Sequence, residues 1–265
     1  MNASKSEGIR YSVVCVILAF LVLGTTVPSV LLKQSWYRAW FVQLPVDLMF
    51  LVRPAQWMAA TFVGWLIVRA MIDKQERITM GLLISPVLAA KGLVVGFGCS
   101  LTMLAFGVFS EPNDLHYTLV YSTLLPGITE EIFYRGFAFG LLIQAGRMKL
   151  WPAALTTAVV FGLAHLVRSD IREMPIWDMM GWLGMISAGG LFFAWIYAKS
   201  PWNLWVVIAI HTGMNLWWDI FFNNDISPLN GWVITIARII PVGLAVYLVV
   251  FRGVLRPSEP STMHA

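Results

Sequence analysis

Long apolar runs separated by short polar stretches divide the chain into eight segments, at roughly 9–32, 55–72, 87–109, 117–143, 151–168, 181–198, 203–222 and 232–251. A bilayer span needs about 20 mainly apolar residues, and each run is near that length. Only helices and closed barrels satisfy their backbone in lipid, and these runs are too long and too continuously apolar for barrel strands. The expected fold is all-α, a polytopic membrane helical bundle of about eight transmembrane helices. The first run follows Lys5 and Arg10 and has no A-x-A-like cleavage site after it, so it reads as a retained span.

Composition agrees with the pattern: 58% of residues are hydrophobic and 12% charged, with a mean hydropathy of +0.74. No basic block points to nucleic acid, and the net charge of +4 is spread over loop ends. Cys15 and Cys99 both fall inside predicted spans, where they read as small packing residues without a disulfide framework. Several tryptophans, among them Trp36, Trp40, Trp151, Trp177, Trp182, Trp202 and Trp232, lie near span ends and read as headgroup anchors.

Alternate loops differ in basic residues once Lys91, Arg135 and Arg238 are set aside as lying within spans. One side collects Lys5, Arg10, Arg69, Lys74, Arg77, Arg147, Lys149, Lys199, Arg252 and Arg256; the other has Lys33, Arg38, Arg53, Arg168 and Arg172. The richer side is expected to be cytoplasmic, which places both termini there. Lys91 and Arg238 are close enough to span ends to snorkel. The chain then divides into 1–114 (three helices and their loops), 115–222 (helices four to seven) and 223–265 (the last helix and a tail from Arg256 to Ala265 expected to be disordered). His264 in that tail and His116 in the loop before the fourth span are given no chemistry.

Charge inside a span is costly and marks function by default. The fourth span carries Thr129-Glu130-Glu131-Ile132-Phe133-Tyr134-Arg135 just after Pro126-Gly127. Proline is expected to break or kink the helix there, with Thr129 capping a new turn whose dipole favours the two acids. Glu131 and Arg135 share a face at i,i+4 spacing and are expected to pair, which leaves Glu130 pointed elsewhere, without a local cation, beside a cavity. A lone carboxylate away from water is suited to general-base work near neutral pH; a purely structural ion-pair network is the alternative reading of the three charges. Two further pairs stand in apolar helices, Phe161 with His165 and His211 with Asn215, each at i,i+4 and therefore on one face. Asp219 extends the second stripe by a turn, near the span end.

Taken together, Glu130-Glu131-x-x-x-Arg135, Phe161-x-x-x-His165 and His211-x-x-x-Asn215 resemble the three-motif pattern of the CAAX prenyl endopeptidase and bacteriocin-processing (CPBP) family of intramembrane proteases, which includes the Ras-converting endopeptidases. The resemblance covers roughly 115–220. It implies a peptidase in which Glu130 and His165 activate a water, His211 and Asn215 stabilise the oxyanion, and Glu131, Arg135 and Phe161 support the site. It implies a membrane-associated protein or peptide as substrate and no cofactor. Zinc is the mechanistic alternative, since two histidines and a glutamate also form hydrolytic zinc sites, although H-E-x-x-H is absent. Two other function classes fit buried charge in a bundle: a catalytically silent scaffold that regulates a membrane partner, and an ion-coupled transporter, which the lack of a detectable inverted repeat disfavours. The compact eight-span form points to a prokaryotic inner membrane. His165 falls near the outer end of a short fifth span while Glu130 lies nearer mid-membrane, so either the fifth helix runs past Arg168 or the cavity opens outward.

Overall fold

A computed structural model describes residues 3–31, 33–105, 115–167, 173–221 and 232–256, and no strand occurs among them. The chain runs through α1 (Ala3–Leu31), α2 (Ser35–Phe41), α3 (Val46–Met71), α4 (Pro86–Ser100, prolonged by a 3-10 turn, Leu101–Ala105) and a long α5. Helix α5 is continuous but changes register, with π turns at Tyr117–Leu124, α turns at Leu125–Glu130, π turns at Glu131–Phe139 and α turns at Gly140–Gln144. Then follow α6 (Leu150–Ala164, ending in a 3-10 turn, His165–Val167), α7 (Ile176–Lys199), α8 (Leu204–Phe221) and α9 (Trp232–Ala245, continued by π turns at Val246–Phe251).

Every predicted span has its helix, so the all-α membrane bundle stands. Among the described residues, by length and apolarity alone, four stretches qualify as spans, Glu7–Val27, Val46–Met71, Pro86–Ala105 and Ile176–Lys199, while Leu150–Ala164 and Ile236–Phe251 are apolar but shorter. Helices α1, α3 and α7 begin well before their apolar runs. Helix α3 takes in Asp47, Arg53 and Pro54, and α7 takes in Trp177 and Asp178. The unforeseen α2 is a short aromatic turn that buries Tyr37 and leaves Trp36 and Trp40 exposed, as suits a headgroup layer. Trp151 and Trp177 are likewise exposed. Trp202 is not an anchor: it packs on Phe139 and Tyr197. Cys15 is exposed, so of the two cysteines only Cys99 serves as a packing residue. The tail with His264, and the side chain of Trp232, lie outside the described residues.

Two expectations for the fourth span are corrected. Pro126 does not break it: the N–H of Leu125 bonds five residues back, to Val120, and these wider turns carry the helix past a proline ring that an α register would set against the preceding carbonyls. Thr129 does not cap a new turn either, because the helix has no end there and its hydroxyl donates back to the Leu125 carbonyl at 2.8 Å.

Close helix packing centres on α8, which lies along α4 and crosses α5. At the α5 crossing a side chain on Gly127 would run into Thr212, so the smallest residue is required. On the other side of α5 an aromatic layer forms, with Trp57 of α3 stacked on Phe133 at 6.1 Å and Phe20 of α1 edge-on to Phe137 at 6.3 Å. One end of the bundle is sealed by the segment between α3 and α4. There Thr79 and Gln144 exchange two 2.8 Å hydrogen bonds, and the Trp205 indole donates to Leu82 at 3.0 Å. Gly81, at φ +72°, packs its backbone against Trp202 and Tyr197 where a side chain would not fit.

Candidate active site

Helix α5 supplies the acids. Glu131 and Arg135 pair at 2.9 Å, as their spacing predicts, and are 0% and 2% exposed. So deep a pair needs further partners, since desolvating two charges costs several kcal/mol per ion. For Arg135 these are aromatic faces, with the guanidinium 4.4 Å from the Phe161 ring centre and 5.4 Å from that of Phe193. Phe161 thus holds Arg135 with its face, and its carbonyl accepts from His165 Nδ1 at 2.9 Å. That bond assigns the Nδ1 proton of neutral His165 and leaves Nε2 as the nitrogen that takes up a proton.

His211 stands between the two acids, an arrangement that spacing within α5 does not reveal. Its Nδ1 lies 2.6 Å from Glu131 Oε1 and its Nε2 lies 4.0 Å from Glu130 Oε2. Glu130 therefore has a histidine facing it, which corrects the reading that it lacks a local cation. A carboxylate only accepts, so Nδ1 of His211 is the donor; Nε2 then accepts in the neutral ring and donates in the imidazolium. Phe193 stacks against the His211 ring at 5.3 Å and 25°, which fixes its plane.

Glu130, His165, His211 and Asn215, drawn from α5, α6 and α8, all line one cavity of about 1080 Å³. Helix α6 ends at Ala164 and a 3-10 turn carries His165 at the cavity wall; Arg168, on which the alternative of a longer fifth helix turned, lies outside the described residues. Asp219 also lines the cavity and accepts from the Ser122 hydroxyl of α5. Three wall residues escaped the sequence reading. Trp182 packs edge-on to His165 at 5.7 Å and is not a headgroup anchor. Arg53 belongs to α3, not to a loop; it lies 4.8 Å from the Trp57 ring centre and donates to the Ala164 carbonyl at 3.5 Å. Arg238 does not snorkel to a span end but stacks on Trp218 at 4.0 Å. Lys91, in contrast, is exposed as expected. The available signal was Arg238 deep in an apolar run.

Residues 112–217 match the family model described as type II CAAX prenyl endopeptidase Rce1-like. Over this stretch the chain is similar to the CAAX protease (CPBP) family. No curated protein and no solved structure matches it. The matched stretch contains every motif residue of the site, whereas Arg53 and Arg238 lie outside it. The apolar helices and this match support an integral membrane protein, and the match supports an intramembrane CAAX-type endopeptidase at the level of the family alone.

Two histidines and a glutamate are also the donor set of hydrolytic zinc sites. Among the described residues, no group of three or more His, Cys, Asp or Glu is gathered as a metal-ligand set. His165 Nδ1 bonds a carbonyl and His211 Nδ1 bonds Glu131, a pattern that metal-free and metal-binding histidines share.

Proposed function

We propose that this protein hydrolyses a peptide bond of a membrane-associated protein or peptide with a water activated by Glu130 and His165. The observation that carries the reading is the convergence of both residues with His211 and Asn215 on one cavity, while Glu131 bonds His211 from behind. The Glu130 carboxylate, with His165 Nε2, takes a proton from water, and the oxygen attacks the scissile carbonyl carbon. The negative charge on the carbonyl oxygen is met by Asn215 Nδ2–H and His211 Nε2–H, donors worth about 2.7–4 kcal/mol each in comparable acyl-transfer sites. The proton then passes to the leaving amine as the C–N bond breaks. Glu131 keeps the Nδ1 proton on His211 and stabilises its imidazolium; Arg135 and Phe161 hold Glu131 and His165 in place.

This chemistry uses no cofactor, and the protein sits in a prokaryotic inner membrane with both termini cytoplasmic. The test compares the membrane peptidome of cells expressing the wild type, Glu130→Gln or His165→Ala at equal levels. Products present with the wild type and absent with both variants are expected. Undiminished product with either variant would refute the assignment of the water-activating pair.

A further inference from the structure

The start of α1 and the end of α9 lie at the end of the bundle opposite the cavity. With the spans alternating in direction, the lining runs from mid-bundle to one end: Arg53 and Trp57 near the start of α3, Tyr117 to Pro126 in the first half of α5, and His165 at the end of α6. Trp182 in the first half of α7 and Met214 through Asp219 in the second half of α8 belong to the same end, while Glu130, Gly189 and His211 stand near the middle of their helices. At the other end, where α1 begins and α9 finishes, the Thr79–Gln144 and Trp205–Leu82 bonds and the Gly81 packing close the bundle.

Positive charge separates in the same way. With Arg53 reassigned from a loop to the cavity wall, the connections at the cavity end keep Lys33, Arg38, Arg168 and Arg172. The sealed end keeps all ten residues from Lys5 to Arg256 assigned to it above. Lysine and arginine near span ends are retained in the cytoplasm. We infer that the catalytic cavity opens at the non-cytoplasmic face, so that its substrate is a segment that has already crossed the membrane or the outer end of another membrane protein. A lipid-modified C-terminus displayed in the cytoplasm does not reach this mouth. The inference rests on the proteolytic reading for the word substrate, but the orientation of the cavity does not depend on turnover.

The experiment therefore reads accessibility alone. In a Cys15→Ala/Cys99→Ala background, one reporter is Gly189→Cys, in the cavity wall at a position where an added side chain meets nothing within 4 Å. A second is Met174→Cys at the cavity mouth, and a third is Gln75→Cys, exposed at the sealed end. Each is made with and without Glu130→Gln and treated with a membrane-impermeant maleimide, in intact spheroplasts and in inverted vesicles. The expected result is that Gly189→Cys and Met174→Cys label in spheroplasts and Gln75→Cys labels only in inverted vesicles, whatever residue stands at 130. The reverse pattern, or failure of both cavity reporters to label from outside, would overturn the inference. A cavity that labels from outside in a protein without cleavage products would refute the proteolytic reading alone.

Discussion

Replacing Glu131 by Gln separates two jobs that one carboxylate performs. Its Oε1 accepts from Arg135 at 2.9 Å and from His211 at 2.6 Å, inside a site where Glu131 is fully buried. The amide keeps the size and one acceptor oxygen but loses the charge, leaving Arg135 as a buried cation. Breaking a buried pair in this way costs roughly 3–5 kcal/mol. The aromatic faces of Phe161 and Phe193 attract Arg135 equally before and after the change, so they do not reduce that figure; the surviving amide oxygen places the expected loss near its lower end. Activity falls for a separate reason. Without a carboxylate behind it, His211 loses the acceptor that fixes its Nδ1 proton and orients Nε2 toward the cavity, and losses of up to roughly 10⁴-fold are expected, as when an orienting carboxylate is removed from other hydrolytic sites.

The double variant Glu131→Gln/Arg135→Met isolates the stability part. Methionine fills the slot between the two rings without a charge, so most of the lost stability should return while activity does not. Half-lives of thermal inactivation in detergent and in nanodiscs, read alongside turnover of a peptide identified in the peptidome comparison, give the two quantities. Glu130→Gln is the control: its contact with His211 is 4.0 Å, too long for a hydrogen bond, so it should lose turnover and retain a half-life near that of the wild type. Equal half-lives for Glu130→Gln and Glu131→Gln, or near-normal turnover of Glu131→Gln, would refute this division of labour between the acids.

Two further outcomes are expected of the purified protein. Asn215→Ala and His211→Ala should lower kcat sharply and change KM little, because their hydrogen bonds strengthen only as charge develops on the carbonyl oxygen; a rise in KM matching the fall in kcat would make them substrate-binding residues. The protein should contain no stoichiometric zinc by elemental analysis and retain turnover through prolonged chelation, whereas loss to a chelator that is reversed by added zinc would replace the mechanism with a metal-activated water.

The spans and the motif residues were legible in the sequence because both follow from one-dimensional rules. An apolar run of span length has few alternatives in lipid, and i,i+4 spacing alone put Glu131 against Arg135 and His165 on the same face as Phe161. What the sequence hid was set by contacts between helices. The bond from His211 to Glu131 joins residues 80 positions apart, and no periodicity within either helix announces it. The continuity of α5 past Pro126 was misjudged for a related reason: the rule against proline assumes an α register, and the helix escapes the clash by widening into π turns on its N-terminal side.

Arg53 and Arg238 illustrate the same limit from the opposite direction. As isolated letters, each is explained by reaching a span end, which is the ordinary fate of an arginine in an apolar run. The fold gives each guanidinium a tryptophan to lie on and a shared wet cavity to face, so neither needs to reach the headgroups. Snorkelling and lining a cavity satisfy the same physical demand, hydration or a partner for the charge, and which one a chain uses depends on what stands beside it in space. Once Arg53 is counted as part of the wall, the basic residues at the cavity end become scarcer and the predicted orientation firmer. A correction to one side chain thereby bears on the face at which the enzyme meets its substrate.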